Sequence, residues 1–308
     1  MSARISARVR GYRPELAIAT AAILYGSTFE IVQDALHDLT PSGLNVFRFA
    51  LGAAVLAPFA LTRSWRGPRP RPADSGRTVF IGGAAIGAIA AGAYFCQNLG
   101  LQHTSTSNSA FITGLFAVTT PVIEAIIFRR SPRSAIWIAV AMSVLGLFLL
   151  TGAEPTLGFG DSVTLVTALL FGFWFVSIGM FANRVDVICL TAVQLAAIAA
   201  FSLPIAFVEG FGSLSSDATV GILLTGIGCS AVAFSLSVWA QRTIDPSRAS
   251  LLNLLEPVVA GVIGYAVGER LGFVGYLGAA LILAAIVVAE RGTHRPVPAE
   301  VRADPGTP

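Results

Sequence analysis

Lysine is absent from this chain of 308 residues; all twenty basic side chains are arginine. Charge of both signs is scarce, at 12% of residues, against about a quarter in an ordinary soluble domain. A chain without lysine has no Walker A phosphate loop, so ATP-driven work by this chain alone is not expected. Histidine is limited to His37, His103 and His294, all outside the long apolar runs. With no His-Glu-x-x-His and no Gly-x-Ser-x-Gly, the sequence also lacks the patterns of an intramembrane enzyme. Cys96, Cys189 and Cys229 sit singly inside apolar runs, without the close Cys or His spacing of a metal site. They read as packing residues, and no metal or organic cofactor is expected. A formal charge of +3 and a pI near 9.0 do not point to nucleic acid, because the arginines lie in short loops between apolar runs.

What is abundant is apolar: 55% of residues are hydrophobic and the mean hydropathy is +0.75. Apolar runs of about twenty residues recur without the polar face a soluble helix or strand would keep. They predict ten transmembrane helices, at residues 15–35, 42–62, 78–100, 106–128, 134–152, 161–182, 187–208, 218–240, 248–268 and 272–290. Each can cross ~30 Å of hydrocarbon at ~1.5 Å per residue. Barrel strands do not fit, because the runs do not alternate, whereas a helix bonds every backbone group internally. The first run follows Arg4, Arg8, Arg10 and Arg13 as in a signal peptide, but it is too long for one and reads as a retained helix. The expected fold class is all-α and integral to a membrane.

Eighteen arginines fall on one side of these spans. They are the four before the first span; Arg63, Arg66, Arg69, Arg71 and Arg77; Arg129, Arg130 and Arg133; and Arg184, Arg242, Arg248, Arg291, Arg295 and Arg302. Arg270 stands alone on the other side, and Arg48 lies within a span. The positive-inside rule makes the rich side cytoplasmic and places both termini there, in a plasma (inner) membrane. Asp38, Glu154, Glu209 and Asp217 fall in the opposite loops, and Trp137 and Trp239 near cytoplasmic helix ends as interfacial anchors. Residues 1–14 read as a basic cytoplasmic N-terminus, and 291–308, with no periodic apolar face, as a disordered cytoplasmic tail.

Displaced by 140 residues, positions 90–130 align with 230–270 without a gap. Ala91, Ala93, Ser107, Leu115, Val118, Val122, Ile123 and Arg130 meet Ala231, Ala233, Ser247, Leu255, Val258, Val262, Ile263 and Arg270, and the predicted helix boundaries roughly coincide. This divides the chain into two five-helix units, 15–152 and 161–290, joined by an extracytoplasmic connector at 153–160. Because five is odd, the second unit enters the membrane from the opposite side. Such an inverted repeat suits alternating access around a midplane site better than it suits a channel. Pro121 and Pro257 stand one helical turn apart in the alignment, and each frees a backbone carbonyl at depth.

The run Ser250-Leu-Leu-Asn-Leu-Leu-Glu-Pro-Val-Val259, followed by Gly268-Glu-Arg and Gly278-Ala-Ala-Leu-Ile-Leu283, resembles the EamA-like branch of the drug/metabolite transporter superfamily. Tyr25-Gly-Ser-Thr-Phe29, Arg48 and Thr104-Ser-Thr-Ser-Asn-Ser109 before Phe111-Ile-Thr-Gly-Leu115 extend the resemblance over residues 15–290. It implies ten helices in two inverted repeats, cytoplasmic termini, and secondary export or exchange of small metabolites such as amino acids, amines or related solutes. Tyr25 stands where many members carry tryptophan, and Glu30 adds an acid just beyond.

A charge at mid-bilayer costs roughly 2.5–3.5 kcal/mol on insertion scales, so each one within a span needs a reason. Glu30 and Arg48 lie ~7–9 Å from the outer ends of the first two spans, an equal depth that suits an ion pair, serving as helix clamp, gate or substrate anchor. Glu256 lies ~12 Å into the ninth span, near the midplane. A carboxyl there can exchange a proton during transport or bond backbone freed near Pro257, and both readings stay open. Glu124 is shallow enough to snorkel. Tyr25, Tyr94, Gln97, Thr113, Gln194 and Asn253 are the uncharged candidates for a cavity lining, with Trp174 as an aromatic wall. Interhelical hydrogen bonding is the competing role for each. Gly83 with Gly87, and Gly264 with Gly268, are small-xxx-small pairs suited to close packing. The sequence thus predicts a secondary transporter of a small solute, with protons and the lipid bilayer as further partners and a homodimer left open. A channel or a non-transport membrane protein is the alternative.

Overall fold

The computed structural model describes residues 13–66, 76–152, 154, 158–266 and 272–293. Its regular structure is helical: α1 (Arg13–Gly26), α2 (Phe29–Asp38), α3 (Pro41–Arg66), α4 (Gly76–Leu101), α5 (Thr106–Gly114), α6 (Phe116–Phe128), α7 (Ser134–Thr151), α8 (Phe159–Phe181), α9 (Val187–Glu209), α10 (Ser216–Leu224), a π-helical stretch (Thr225–Ala233), α11 (Phe234–Ala240), α12 (Pro246–Asn253), α13 (Leu255–Ala266) and α14 (Phe273–Thr293). An isolated bridge between Leu39 and Gly212 is the sole β pairing among the described residues. Residues 1–12, the tail beyond Thr293, connector positions 153 and 155–157, and Gly268 and Arg270 lie outside the described residues, so the expectations placed on them are not addressed.

Among the described residues, eight stretches are long and apolar enough to cross a membrane: Pro41–Thr62, Gly76–Leu101, Ser107–Phe128, Ser134–Thr151, Phe159–Phe181, Val187–Glu209, Ser216–Ala240 and Phe273–Gly292. They coincide with eight of the ten expected spans. The first expected span is instead a pair of helices, Arg13–Gly26 and Ile31–Asp38, bent by 44° and equivalent to a ninth span if counted as one. The hydroxyls of Ser27 and Thr28 donate to the carbonyl of Leu24, at 3.0 and 3.2 Å, so side chains bond backbone at the bend. The expected span at 248–268 is also divided, into α12 and α13, and neither part is long enough to cross alone. Pro257 accounts for this: it has no N–H, and its ring crowds the carbonyl four residues back, that of Asn253, where α12 ends.

Two breaks share one geometry. Leu115, between α5 and α6, has φ −64° and ψ −5°; Leu254, between α12 and α13, has φ −66° and ψ −2°. Each N–H reaches back three residues, to Ile112 at 3.1 Å and to Leu251 at 3.2 Å, the tightened bonding of a 3₁₀ turn.

α3 packs along α9, α7 along α14, and α4 on both α8 and α9, while α6 lies on α8. α1 is surrounded by α11, α12, α13 and the π stretch, which also packs on α3. Small residues permit the closest approaches. A Cβ on Gly83 would stand 2.7 Å from Val193 Cγ1, and one on Gly87 2.5 Å from the Ala197 methyl, so this expected pair does seat α4 against α9. Gly146 similarly faces the Gly278 carbonyl across α7 and α14. The surroundings of Gly264 are outside the described set. The outer surface is apolar, with Leu61, Ile126, Phe207 and Val208 all exposed, as contact with lipid rather than water requires.

Candidate functional site

Inside the bundle is a chamber of about 70 Å³. α1 contributes Tyr25, α3 Arg48, α4 Tyr94 and Gln97, and α5 Thr113. Across it stand Trp174 from α8, Asn253 from α12 and Glu256 from α13. Eight of the ten sequence candidates therefore line one cavity. Gln194 does not: it is fully buried on α9, with its backbone N–H 3.3 Å from where a Cβ on Gly83 would sit. Glu30 has its backbone in α2, but its side chain is outside the described set, so the expected pairing with Arg48 is not addressed.

Arg48 is 4% exposed and is held by rings, its guanidinium carbon 4.6 Å from the centroid of Phe49 and 5.0 Å from that of Tyr94. The Nε of Arg48, the hydroxyls of Tyr25 and Thr113, and Nε1 of Trp174 are buried without a hydrogen-bond partner among the described residues. Such atoms are rare in folded proteins, because each forfeits hydration without recompense. These four belong to residues of one chamber, while other such atoms, on Gln194 and Gln241 among them, lie away from it. The amide nitrogen of Asn253 donates to the Glu256 carboxylate at 3.2 Å across the break at Leu254. The walls are aromatic: Tyr94 packs on Phe49 and Phe171 with centroids 5.0 and 5.1 Å apart, and Trp174 on Phe175 and Phe234 at 4.9 and 5.2 Å.

Several lining residues were not singled out in the sequence. Phe116, Phe171 and Phe175 line the chamber, as do Thr28 and Cys229. Phe171, Trp174 and Phe175 share one face of α8 by helical spacing, a signal available beforehand. Cys229 lies in the π stretch, 3.0 Å from the Thr28 hydroxyl, and so belongs to the chamber wall as well as to the packing.

A larger cleft of about 500 Å³ shares Thr113, Phe116 and Glu256 with the chamber and extends to Gln33, Ser107 and Thr151. Those three residues lie toward the helix ends that the arginine pattern assigns to the extracytoplasmic side. At the opposite, arginine-rich end, the first turn of α12 is tied down. Arg248 Nη2 donates to Glu290 at 2.5 Å and to Glu15 at 3.0 Å, and all three side chains are less than one-fifth exposed. The neighbouring Ser247 donates from its N–H, at 3.0 Å, and from its hydroxyl to Glu124. Glu124, half-buried at this end of the bundle, thus accepts both bonds at the first turn of α12. Among the described residues, no three His, Cys, Asp or Glu side chains are grouped to hold a metal ion.

The family model described as "EamA-like transporter family" matches residues 13–152 and again residues 158–290. This chain belongs to that family. An uncharacterized transporter of Archaeoglobus fulgidus is 28% identical over 89% of this chain and 84% of its own length. The uncharacterized inner membrane transporter YedA of Escherichia coli K12 is 23% identical, over 92% of this chain and 93% of its own length. The uncharacterized transporter YyaM of Bacillus subtilis is 24% identical, over 87% and 90% respectively. One crystal structure superposes with a TM-score of 0.74 over 92% of this chain and 99% of the other, at 20% identity, a likeness of fold. The EamA-like chain is thus a multi-pass membrane transporter.

Proposed function

We propose that this EamA-like protein is a secondary active transporter that exports or exchanges a small polar metabolite, such as an amino acid, an amine or a related solute, by alternating access coupled to protons at Glu256. The observation that carries this reading is the chamber itself. It places a carboxylate, a guanidinium and unpartnered donors inside an apolar bundle, where they cost free energy unless a polar solute or water meets them. Glu256 lines both the chamber and the wider cleft, while ionic and hydrogen-bonded ties hold the arginine-rich end.

An inverted repeat with units at 15–152 and 161–290, connector 153–160 and ten membrane passages remains our reading of the architecture. The paired breaks at Leu115 and Leu254 support it, as does packing of α4 on α8 and α9 mirrored by that of the π stretch and α11 on α1 and α3. The arginine pattern supports cytoplasmic termini, and the description of YedA supports an inner membrane location.

The test is proton movement in proteoliposomes loaded with a pH-sensitive dye, against amino acids, amines, nucleosides and sugars, with Glu256→Gln beside the native chain. One solute class is expected to drive a proton signal that the substitution reduces at least tenfold. No flux of any solute would sink the transporter reading, and a proton signal unchanged in Glu256→Gln would remove Glu256 from the coupling.

A further inference from the structure

A second polar cavity, of about 620 Å³, lies at the arginine-rich end and shares no lining residue with the chamber or the cleft. It is formed by Glu124 of α6, the loop from Arg130 to Pro132, the end of α8 with Asn183, and the segment Gln241–Pro246 between α11 and α12. Gln241 is 3% exposed and lines this cavity, yet neither its amide oxygen nor its amide nitrogen has a partner among the described residues. A buried amide with donor and acceptor both idle needs an explanation. The proposed transport site offers none, because Gln241 is not part of it.

The charges around this amide have both signs. Glu124 receives its two bonds from Ser247 on a single oxygen, Oε2, and its other oxygen is not among the buried unpartnered atoms. Arg130, Arg242 and Asp245 are exposed at the rim. We infer that this cavity binds a small zwitterion, an ammonium group beside an acidic oxyanion. Glu124 and the Gln241 oxygen receive the ammonium, while Arg242, Arg130 and the Gln241 amide nitrogen receive the oxyanion. That chemistry exists in free solutes and in the ethanolamine phosphate headgroup of a lipid, and a cavity at the expected membrane surface is open to both sources.

The probe is O-phosphoethanolamine, titrated calorimetrically into the purified full-length protein, with Gln241→Leu, Arg242→Gln and Glu256→Gln in parallel. Arg242 is exposed, so its replacement tests the site without disturbing the interior. Binding is expected in the native chain and in Glu256→Gln, and at least tenfold weaker in Gln241→Leu and Arg242→Gln. Repeating the titration in nanodiscs with and without ethanolamine phospholipid separates the sources: competition by the lipid assigns the site to the headgroup, and its absence to a free solute. Binding lost in Glu256→Gln but kept in Arg242→Gln would place the ligand in the chamber and overturn the inference. Absence of binding to the native chain, both in detergent and in nanodiscs without the lipid, would overturn it too, leaving a cavity that is merely hydrated.

Discussion

Arg48 is a cation held by two aromatic faces, and this shapes what it can do. With Nε unpartnered and the guanidinium resting on Phe49 and Tyr94, it is oriented by rings rather than by a hydrogen bond, and shares the chamber with the Glu256 carboxylate. Replacement by glutamine is expected to weaken solutes bearing an anionic group by tenfold or more, since a charge-assisted hydrogen bond contributes about 1.5–3 kcal/mol. Amines without an anionic group should be spared, and competition binding across the two solute classes would reveal the difference. Equal loss for both classes would mean that Arg48 acts through the packing of Tyr94. At this scale the sequence is legible where chemistry contrasts with background: Arg48, Glu256 and Asn253 stand out because their neighbours are apolar. Phe171 and Phe175 do not, because aromatic side chains in an apolar span look alike whether they face lipid, a neighbouring helix or a chamber. Gln194 stands out for the same reason as Asn253, yet packs at a helix contact, since polarity marks a residue without giving its direction.

The helices owe their spacing to glycine and their closure to a few ionic contacts. Gly87→Val is expected to overpack the contact between α4 and α9 at Ala197, destabilising the bundle by about 1–3 kcal/mol. Thermal unfolding in detergent should show a lower midpoint, whereas Gly76→Val, at a position with open space around it, should show little change. Arg248→Gln would remove the ion pairs that Arg248 makes with Glu15 and Glu290. Breaking a largely buried set of this kind costs about 3–5 kcal/mol, so the substitution should loosen the first turn of α12. A membrane-impermeant thiol reagent applied from the arginine-rich side is then expected to label Ser250→Cys faster when Arg248 is replaced, in a background lacking Cys96 and Cys189. Unchanged labelling would show that the Glu124 cap alone is sufficient. Apolar run length revealed the spans, but not the breaks within them. Pro257 flagged one break, while Leu115 lies six residues before Pro121 and carries no residue type that announces it.

For the whole molecule, the charge pattern makes a prediction that the fold does not supply. A fluorescent protein fused after Thr293 should fold and fluoresce in the cytoplasm, and alkaline phosphatase at the same place should stay inactive. The opposite pair of results would invert the assignment of the arginine-rich end. Eight spans could be read directly from hydropathy, and the two expected spans that do not cross as one continuous stretch are those whose interiors carry Ser27 and Thr28 or Pro257. The break at Leu254 also gives α12 mechanical leverage. Eight residues at ~1.5 Å each make an arm of ~12 Å, so a swivel of ~10° at Leu254 carries the far tip about 2 Å. The Ser247 N–H at that tip is 3.0 Å from Glu124, and displacement by such an amount exceeds the tolerance of a hydrogen bond. A torsion too small to disturb the bundle would thus be amplified into release of the cap beside the cavity at the arginine-rich end, with the fulcrum set between Asn253 and Glu256, where solute and proton would meet.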